Sequence, residues 1–242
     1  QSHKKDYTPL RNINDFKKIP PQMQTILAPF GQIYFSQFGE DVILKQYLET
    51  GFLPSKGRFI DIGCYHPIMW SNTFYLYAYG WRGINIDANE TMIELQNQIR
   101  SEDINICTGI ALEAGEYTFY NIGLQAASTI IPEHKDKQLK RGAPLNGEKT
   151  IFCRPIMDVL REHITEEHRE LYHYVNIDLE GMDEIIVQQI DWTWIPVKLI
   201  SVEIHALDLS KLAEHPIHMV LSEAGFQLEH FVKPTAFYAR RS

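Results

Sequence analysis

The chain has 242 residues, of which 44% are hydrophobic and 22% charged, and its formal net charge is −8 at neutral pH. That length suits one substantial domain with a single core, and the negative balance argues against nucleic acid as a main partner. No apolar run approaches the roughly 20 residues of a bilayer span, and residues 1–15 lack the apolar core of a secretion signal.

Cys64, Cys107 and Cys153 are widely spaced and form no CxxC pair, which fits a reduced, cytoplasmic protein better than a disulfide scaffold or a zinc knuckle. The opening Gln-Ser-His has the look of a cloning remnant, so the chain is expected to be one domain of a longer protein. Residues 1–35 read as an irregular polar arm, and 36–242 as a single domain.

The elements alternate from there on. Val42–Leu48 has helical spacing and stops before Gly51 and Pro54. Arg58–Ile62 is a β-prone run entering a turn at Gly63, and a helix over Asn72–Tyr79 stops at Gly80. Gly83–Ile86 is a second strand ending at Asp87, Thr91–Arg100 a helix, and Ile104–Ile110 a third strand. Glu116–Tyr120 is β-prone. Residues 121–150 are rich in Gly, Ser, Thr, Pro and Lys with weak periodicity, too long for a simple connection, and read as a lid. Met157–Glu170 is expected to be helical, Tyr174–Ile177 a strand ending at Asp178, and Gly181–Ile190 a helix. Lys198–Ile204 is a strand ending at His205, and Leu212–Ala224 a helix stopped by Gly225. Phe226–Val232 and Ala236–Ala239 form a closing hairpin around Pro234. The pattern predicts an α/β fold: a mostly parallel Rossmann-like sheet, helices on both faces, and a C-terminal antiparallel hairpin.

In such a sheet, ligands bind outside the carboxyl ends of the strands. Acids stand at several of those ends, in Asp61-Ile62-Gly63, Asp87-Ala88-Asn89, Asp178-Leu179-Glu180-Gly181 and Glu203-Ile204-His205. An acid where Asp87 lies can accept hydrogen bonds from ribose hydroxyls, in NAD enzymes as well as in others. The turn Gly63-Cys64-Tyr65-His66-Pro67 lacks the GxGxxG glycines that a pyrophosphate needs. An NAD-dependent oxidoreductase is therefore the weaker alternative, as is a non-catalytic cofactor-binding domain. His134, His163, His168 and His215 have no ligand-like grouping and read as surface residues. Tyr75 and Tyr79, at i, i+4, read as core.

Ser36-Gln37-Phe38-Gly39-Glu40-Asp41, Phe59-Ile60-Asp61-Ile62-Gly63, Ser71-Asn72-Thr73, the run Gly80–Ala88, Asn176-Ile177-Asp178-Leu179-Glu180-Gly181 and Val202-Glu203 occur in this order. Together they resemble the FkbM-type methyltransferase family over about residues 33–232. The resemblance implies a seven-stranded methyltransferase fold and S-adenosylmethionine-dependent methyl transfer, usually to hydroxyls of sugars or polyketide rings. It implies that Asp61, Gly63, Asn72, Asp87 and Ala88 line the cofactor site, with Gln37 and Asp41 covering it. Cys64-Tyr65-His66-Pro67 departs from the Ala-Asn or Ala-His that many members carry after the first glycine.

A hydroxyl acceptor needs its proton removed, by a general base or through a metal. Asp178, Glu180, Glu203 and His205 are the catalytic candidates. Asp178, Glu203 and His205 also make a donor set suited to magnesium or manganese. The local cations Lys135, Lys137, Lys140 and Arg141 are expected to meet an anionic group on the acceptor, such as a sugar nucleotide.

Overall fold

Residues 17, 20–27, 33–123, 126–205 and 207–241 are described in a computed structural model, and the chain divides into two units, 1–33 and 34–242. Most of the first unit, and with it most of the expected arm, lies outside the described residues. Within it Pro21–Leu27 forms a helix (α1) with proline in its first turn, where no N–H is required.

The second unit is built on short apolar strands buried on both faces. β1 (Arg58–Ile62), β2 (Arg82–Asp87), β3 (Ile104–Cys107), β7 (Tyr172–Ile177) and β8 (Leu199–Glu203) run parallel. β10 (Thr235–Ala239) lies antiparallel between β8 and β9 (Gln227–Val232), giving a seven-stranded sheet in the order β3-β2-β1-β7-β8-β10-β9. Strand order reverses between β1 and β7, and that switch point opens a crevice at their carboxyl ends. Ile60, Ile62, Ile84, Val175, Ile177, Ile200 and Val202 belong to a core cluster on one face. Phe59, Trp81, Tyr174 and Leu199 pack into a second cluster with Leu44 and Leu76.

α2 (Glu40–Glu49), α3 (Phe74–Ala78), α4 (Glu90–Ile99), α6 (Ile156–His163), α7 (Asp183–Gln189) and α8 (Pro216–Glu223) cover the sheet. None of the described helices is long and apolar enough to cross a membrane.

Three expected elements differ in detail. The helix over Met157–Glu170 breaks at Ile164, whose backbone is extended, and resumes as a 3-10 turn over Glu166–Leu171. The helix over Leu212–Ala224 becomes a 3-10 turn, Leu209–Glu214, followed by α8, because Pro216 cannot continue a preceding helix. The run Ile104–Ile110 splits at Thr108, and β4 (Gly109–Ile110) leaves for a second sheet.

That second sheet is the largest departure. β5 (Gly115–Ile122) pairs antiparallel with β6 (Leu145–Arg154), which also pairs parallel with β4. Between β5 and β6 lies α5 (Pro132–Lys140). The described residues of the segment expected as a loop thus form an insert with a helix and paired strands. Its sequence hides this because β6 is largely exposed and α5 is polar all round, so neither shows hydrophobic periodicity.

Gly63 fixes the site geometrically. Its φ is 83°, and a Cβ there would stand 1.8 Å from the Asp178 carbonyl oxygen. Only glycine lets the ends of β1 and β7 close together, and the Asp178 N–H donates to the Ile62 carbonyl across that junction at 2.9 Å.

Candidate active site

A cavity of about 270 Å3 opens at the carboxyl ends of β1, β2, β7 and β8. Glu40, Asp61, Asp87, Asp178, Glu180 and Glu203 bring carboxyl groups to its wall, and no Lys, Arg or His is among the described lining residues.

The β1–β2 side is tied down. Asp61 is fully buried; Thr73 Oγ1 donates to its Oδ2 at 2.5 Å and Asn176 Nδ2 to its Oδ1 at 2.9 Å. Asn176 Oδ1 in turn accepts from Asn72 Nδ2 at 3.1 Å and from Ser201 Oγ at 2.6 Å. Behind Thr73, the buried Arg100 donates to Thr73 Oγ1 at 2.9 Å and pairs with Asp103 at 2.9 Å. Burial pushes the Asp61 carboxyl up, and Arg100, Thr73 and Asn176 only partly counter it. Asp87 accepts from the backbone N–H of Tyr65 and of Asn89, both at 2.8 Å, which fixes its carboxylate. Burial raises the Asp87 pKa and the nearby Asp61 adds to it, against those two bonds and one from the Ala88 backbone.

Gln37 lines the cavity, and Asp41 is not among its lining residues. Asp41 is buried behind Gln37 and accepts from the Phe35 N–H and Ser36 Oγ, both at 2.7 Å. It shapes the 36–39 turn that carries Gln37.

The β7–β8 side is a knot of acids. Burial, with Glu203, Glu180 and Asp183 nearby, pushes the Asp178 carboxyl well above the usual range and favours its protonated form. Glu180 sits in the left-handed region at φ 41°. Burial raises its pKa, but His134 and His205 together outweigh that and hold it low. His205 Nε2 lies 3.0 Å from Glu203 Oε2 and 3.8 Å from Glu180 Oε2, and these carboxylates raise its pKa to about 10. Half-exposed, His205 does not line the cavity itself; it closes the acid cluster from outside. Among the described residues, the group with metal-ligand spacing is Glu180, Glu203 and His205, with Glu180 in the place expected for Asp178.

Two features of the wall escape sequence reading. Tyr65 (φ 45°) and Trp70 (φ 60°) line the cavity in left-handed backbone and stack at 6.3 Å. With Glu180 they are the non-glycine residues of positive φ among those described, and all three edge the cavity, as strained backbone tends to do at functional sites. His134, expected on the surface, is buried on α5 with Nε2 3.1 Å from Glu180 Oε2. Thr129 Oγ1 donates to the Glu180 carbonyl at 2.9 Å, so the insert is anchored to the Glu180 turn and residues 126–130 roof the cavity. Lys137, Lys140 and Arg141 instead line a groove on α5 with Glu133 and Asp136, and Lys135 lies over the Tyr120 ring. These cations are not part of the cavity wall.

The Methyltransferase FkbM domain family model matches residues 61–228, from the β1 acid to β9. The chain belongs to the FkbM methyltransferase family. S-adenosylmethionine is the methyl donor that this family implies. A solved TehB-like SAM-dependent methyltransferase from Corynebacterium glutamicum ATCC 13032 Kitasato is similar at 12% identity, over 95% of this chain and 100% of that one, with a TM-score of 0.36. Comparison with curated proteins gives no significant match. The donor's sulfonium and ammonium are cations, and carboxyl groups line the cavity of this FkbM domain, with no Lys, Arg or His among the described lining residues.

Proposed function

We propose that this FkbM methyltransferase methylates a hydroxyl of a small, neutral, polyhydroxylated acceptor such as a sugar. The observation that carries the reading is the set of facing carboxyls at the β7–β8 side, opposite a hydrogen-bonded cradle at β1–β2. S-adenosylmethionine, when bound, supplies an electrophilic methyl group on a sulfonium.

In this reading Asp87 accepts hydrogen bonds from the ribose hydroxyls with a carboxylate already oriented by the Tyr65 and Asn89 N–H groups. Gly63, Asn72, Ala88 and Gln37 complete that wall, and Asp61 holds Asn72 in place through Asn176. Alignment of the acceptor falls to the β7–β8 acids, which accept hydrogen bonds from its hydroxyls.

The proton of the reacting hydroxyl needs a base. Burial and the neighbouring acids favour the protonated form of Asp178, and Glu180 and Glu203 raise the His205 pKa to about 10 as long as no cation replaces its proton, so neither is a ready acceptor. Glu180 is held low by two histidines and is a weak base. Glu203, nine-tenths buried and between Asp178 and His205, is the remaining group. Charge favours a neutral acceptor: a phosphate placed here would face carboxylates and, among the described residues, meet no lining Lys or Arg.

The test is formation of S-adenosylhomocysteine with a panel of sugars, glycosides and sugar nucleotides, alongside calorimetric titration with S-adenosylmethionine and NAD. We expect S-adenosylmethionine to bind, NAD not to bind, and turnover with neutral acceptors. Binding of NAD alone would sink the reading. Sugar nucleotides turning over tenfold better than their parent sugars would overturn the neutral acceptor.

A further inference from the structure

We propose that Glu180, Glu203 and His205 bind a divalent cation of the magnesium or manganese type, on the outer side of the acceptor end of the cavity. The role given to the ion rests on the methyl-transfer reading; the site itself does not.

Geometry is the first argument. One donor atom from each residue lies within 4.8 Å of the other two. An octahedral ion with bonds of about 2.1 Å spaces neighbouring ligands at about 3.0 Å and opposite ones at about 4.2 Å. The 3.0 Å from His205 Nε2 to Glu203 Oε2 matches neighbouring positions, and the 3.8 Å to Glu180 Oε2 lies between the two values, within a small side-chain adjustment of either.

The second argument is independent of the clustering. Glu203 Oε2 and Glu180 Oε2 are buried atoms without a hydrogen bond, and the Glu203 side chain is only 10% exposed. At 3.0 Å the imidazole nitrogen is close enough to Glu203 to donate, yet the pair does not have hydrogen-bond geometry. Buried carboxylate oxygens without donors are costly. Here the two orphaned atoms are the ones that converge, side by side with a ring nitrogen, as ligands to a shared ion do.

Chemistry selects the ion class. Two carboxylates and one imidazole, with no thiolate in the group, suit a hard cation that keeps water or substrate oxygens in its other positions. His205 is 39% exposed, which provides an entry route, while Glu180 and Glu203 also line the cavity, which puts the ion within reach of an acceptor oxygen. His134, 3.1 Å from Glu180 Oε2, orients that carboxylate from the roof. An ion here would displace the proton from His205, leave Glu203 one oxygen as ligand and the other as base, and polarise the acceptor hydroxyl, while the two ligand carboxylates balance its charge.

The experiment titrates Mn2+ into the full chain after dialysis against EDTA, read by electron paramagnetic resonance and by calorimetry. Histidine ring resonances are followed in parallel by NMR. Expected are one bound Mn2+ per chain, displaceable by Mg2+, and paramagnetic broadening of the His205 ring ahead of that of His163. Binding should be weakened at least tenfold in Glu203→Gln and in His205→Ala. The broadening is read on wild-type protein, so a variant that fails to fold leaves the proposal testable. No bound Mn2+, or binding that leaves the His205 resonance sharp, overturns it. S-adenosylmethionine affinity is measured on the same EDTA-treated protein. Donor binding without Mn2+ binding removes only the ion, and Mn2+ binding without donor binding removes only the methyl-transfer reading.

Discussion

At the ends of β1 and β2, Asp61 and Asp87 commit their carboxylate oxygens to groups of the protein: Thr73 and Asn176 for one, two backbone N–H groups for the other. At the ends of β7 and β8, Asp178, Glu180 and Glu203 face one another, with His134 and His205 beside them. Both sides put buried acids at strand ends, but only the first is internally satisfied. A satisfied wall costs nothing to reorganise when a ligand arrives and suits binding. An unsatisfied one holds its charge for a ligand or a reacting group, as catalytic sites do.

The largest effect expected from that contrast is on turnover. Glu203→Gln keeps shape and removes a base, and should lower kcat by about a hundredfold to ten-thousandfold. Affinity for S-adenosylmethionine should stay within about threefold, because the change lies on the far side of the cavity; that margin is an allowance well under the tenfold that about 1.4 kcal/mol represents. Steady-state kinetics with calorimetry separates the two quantities. Near wild-type kcat would erase the distinction between the two walls.

Asp87→Ala attacks the other side. It removes the acceptor of the Tyr65 and Asn89 N–H groups as well as the ribose partner, and should weaken donor binding by about 1–3 kcal/mol. Here the donor KM should rise more than kcat falls, the reverse of Glu203→Gln. Unchanged donor affinity would remove Asp87 from the binding wall.

A smaller signature is in stability against pH. Asp183 sits under the Glu180 turn, accepting from the Leu179 and Gly181 N–H groups at 2.9 and 3.3 Å. Burial raises its pKa to about 7, those bonds oppose the shift, and Glu203 adds to it. In the unfolded chain an aspartate titrates near ~3.9, so the folded state favours the protonated form. Its contribution to stability is complete below about pH 4 and is lost as pH rises through about 7. Asp183→Asn cannot titrate. The Tm of wild type minus that of the variant should therefore fall between pH 5 and pH 8, measured by thermal melts; a constant difference would show that Asp183 ionises freely.

The sheet was legible because β1, β2, β7 and β8 are apolar runs ending in an acid, and each end is punctuated by a turn or a glycine. The same punctuation located the acids of the cavity. Sequence could not tell which of Asp178 and Glu180 reaches His205, because that depends on a left-handed backbone at Glu180, a non-glycine residue. His134 was illegible for a different reason: its partner lies across the fold, and a polar helix gives no sign of burial. Tyr65 and Trp70 come to the wall through the turn after Gly63, where no period exists to read.

The smallest expected effect concerns Lys135, Lys137, Lys140 and Arg141. Sequence logic reads a basic cluster in an acidic protein, inside a long insert, as a clamp for an anionic acceptor. The structure gives these side chains other partners. Lys135 pairs with Asp136 at 3.5 Å and lies 4.6 Å over the Tyr120 ring, and Lys137, Lys140 and Arg141 share a groove with Glu133 and Asp136. Lys137 and Lys140 also occupy the last turn of α5, where cations complement the helix dipole. Replacing Lys137, Lys140 and Arg141 together by Gln should leave acceptor KM within about twofold, because screened charges outside the cavity exert little force on a neutral ligand. Stability should fall by no more than about 1 kcal/mol, the scale of exposed charge and dipole terms. A tenfold rise in acceptor KM that fades in high salt would mean that the acceptor is anionic and reaches α5. The contrast between the two walls would then describe only the reacting end of a longer site.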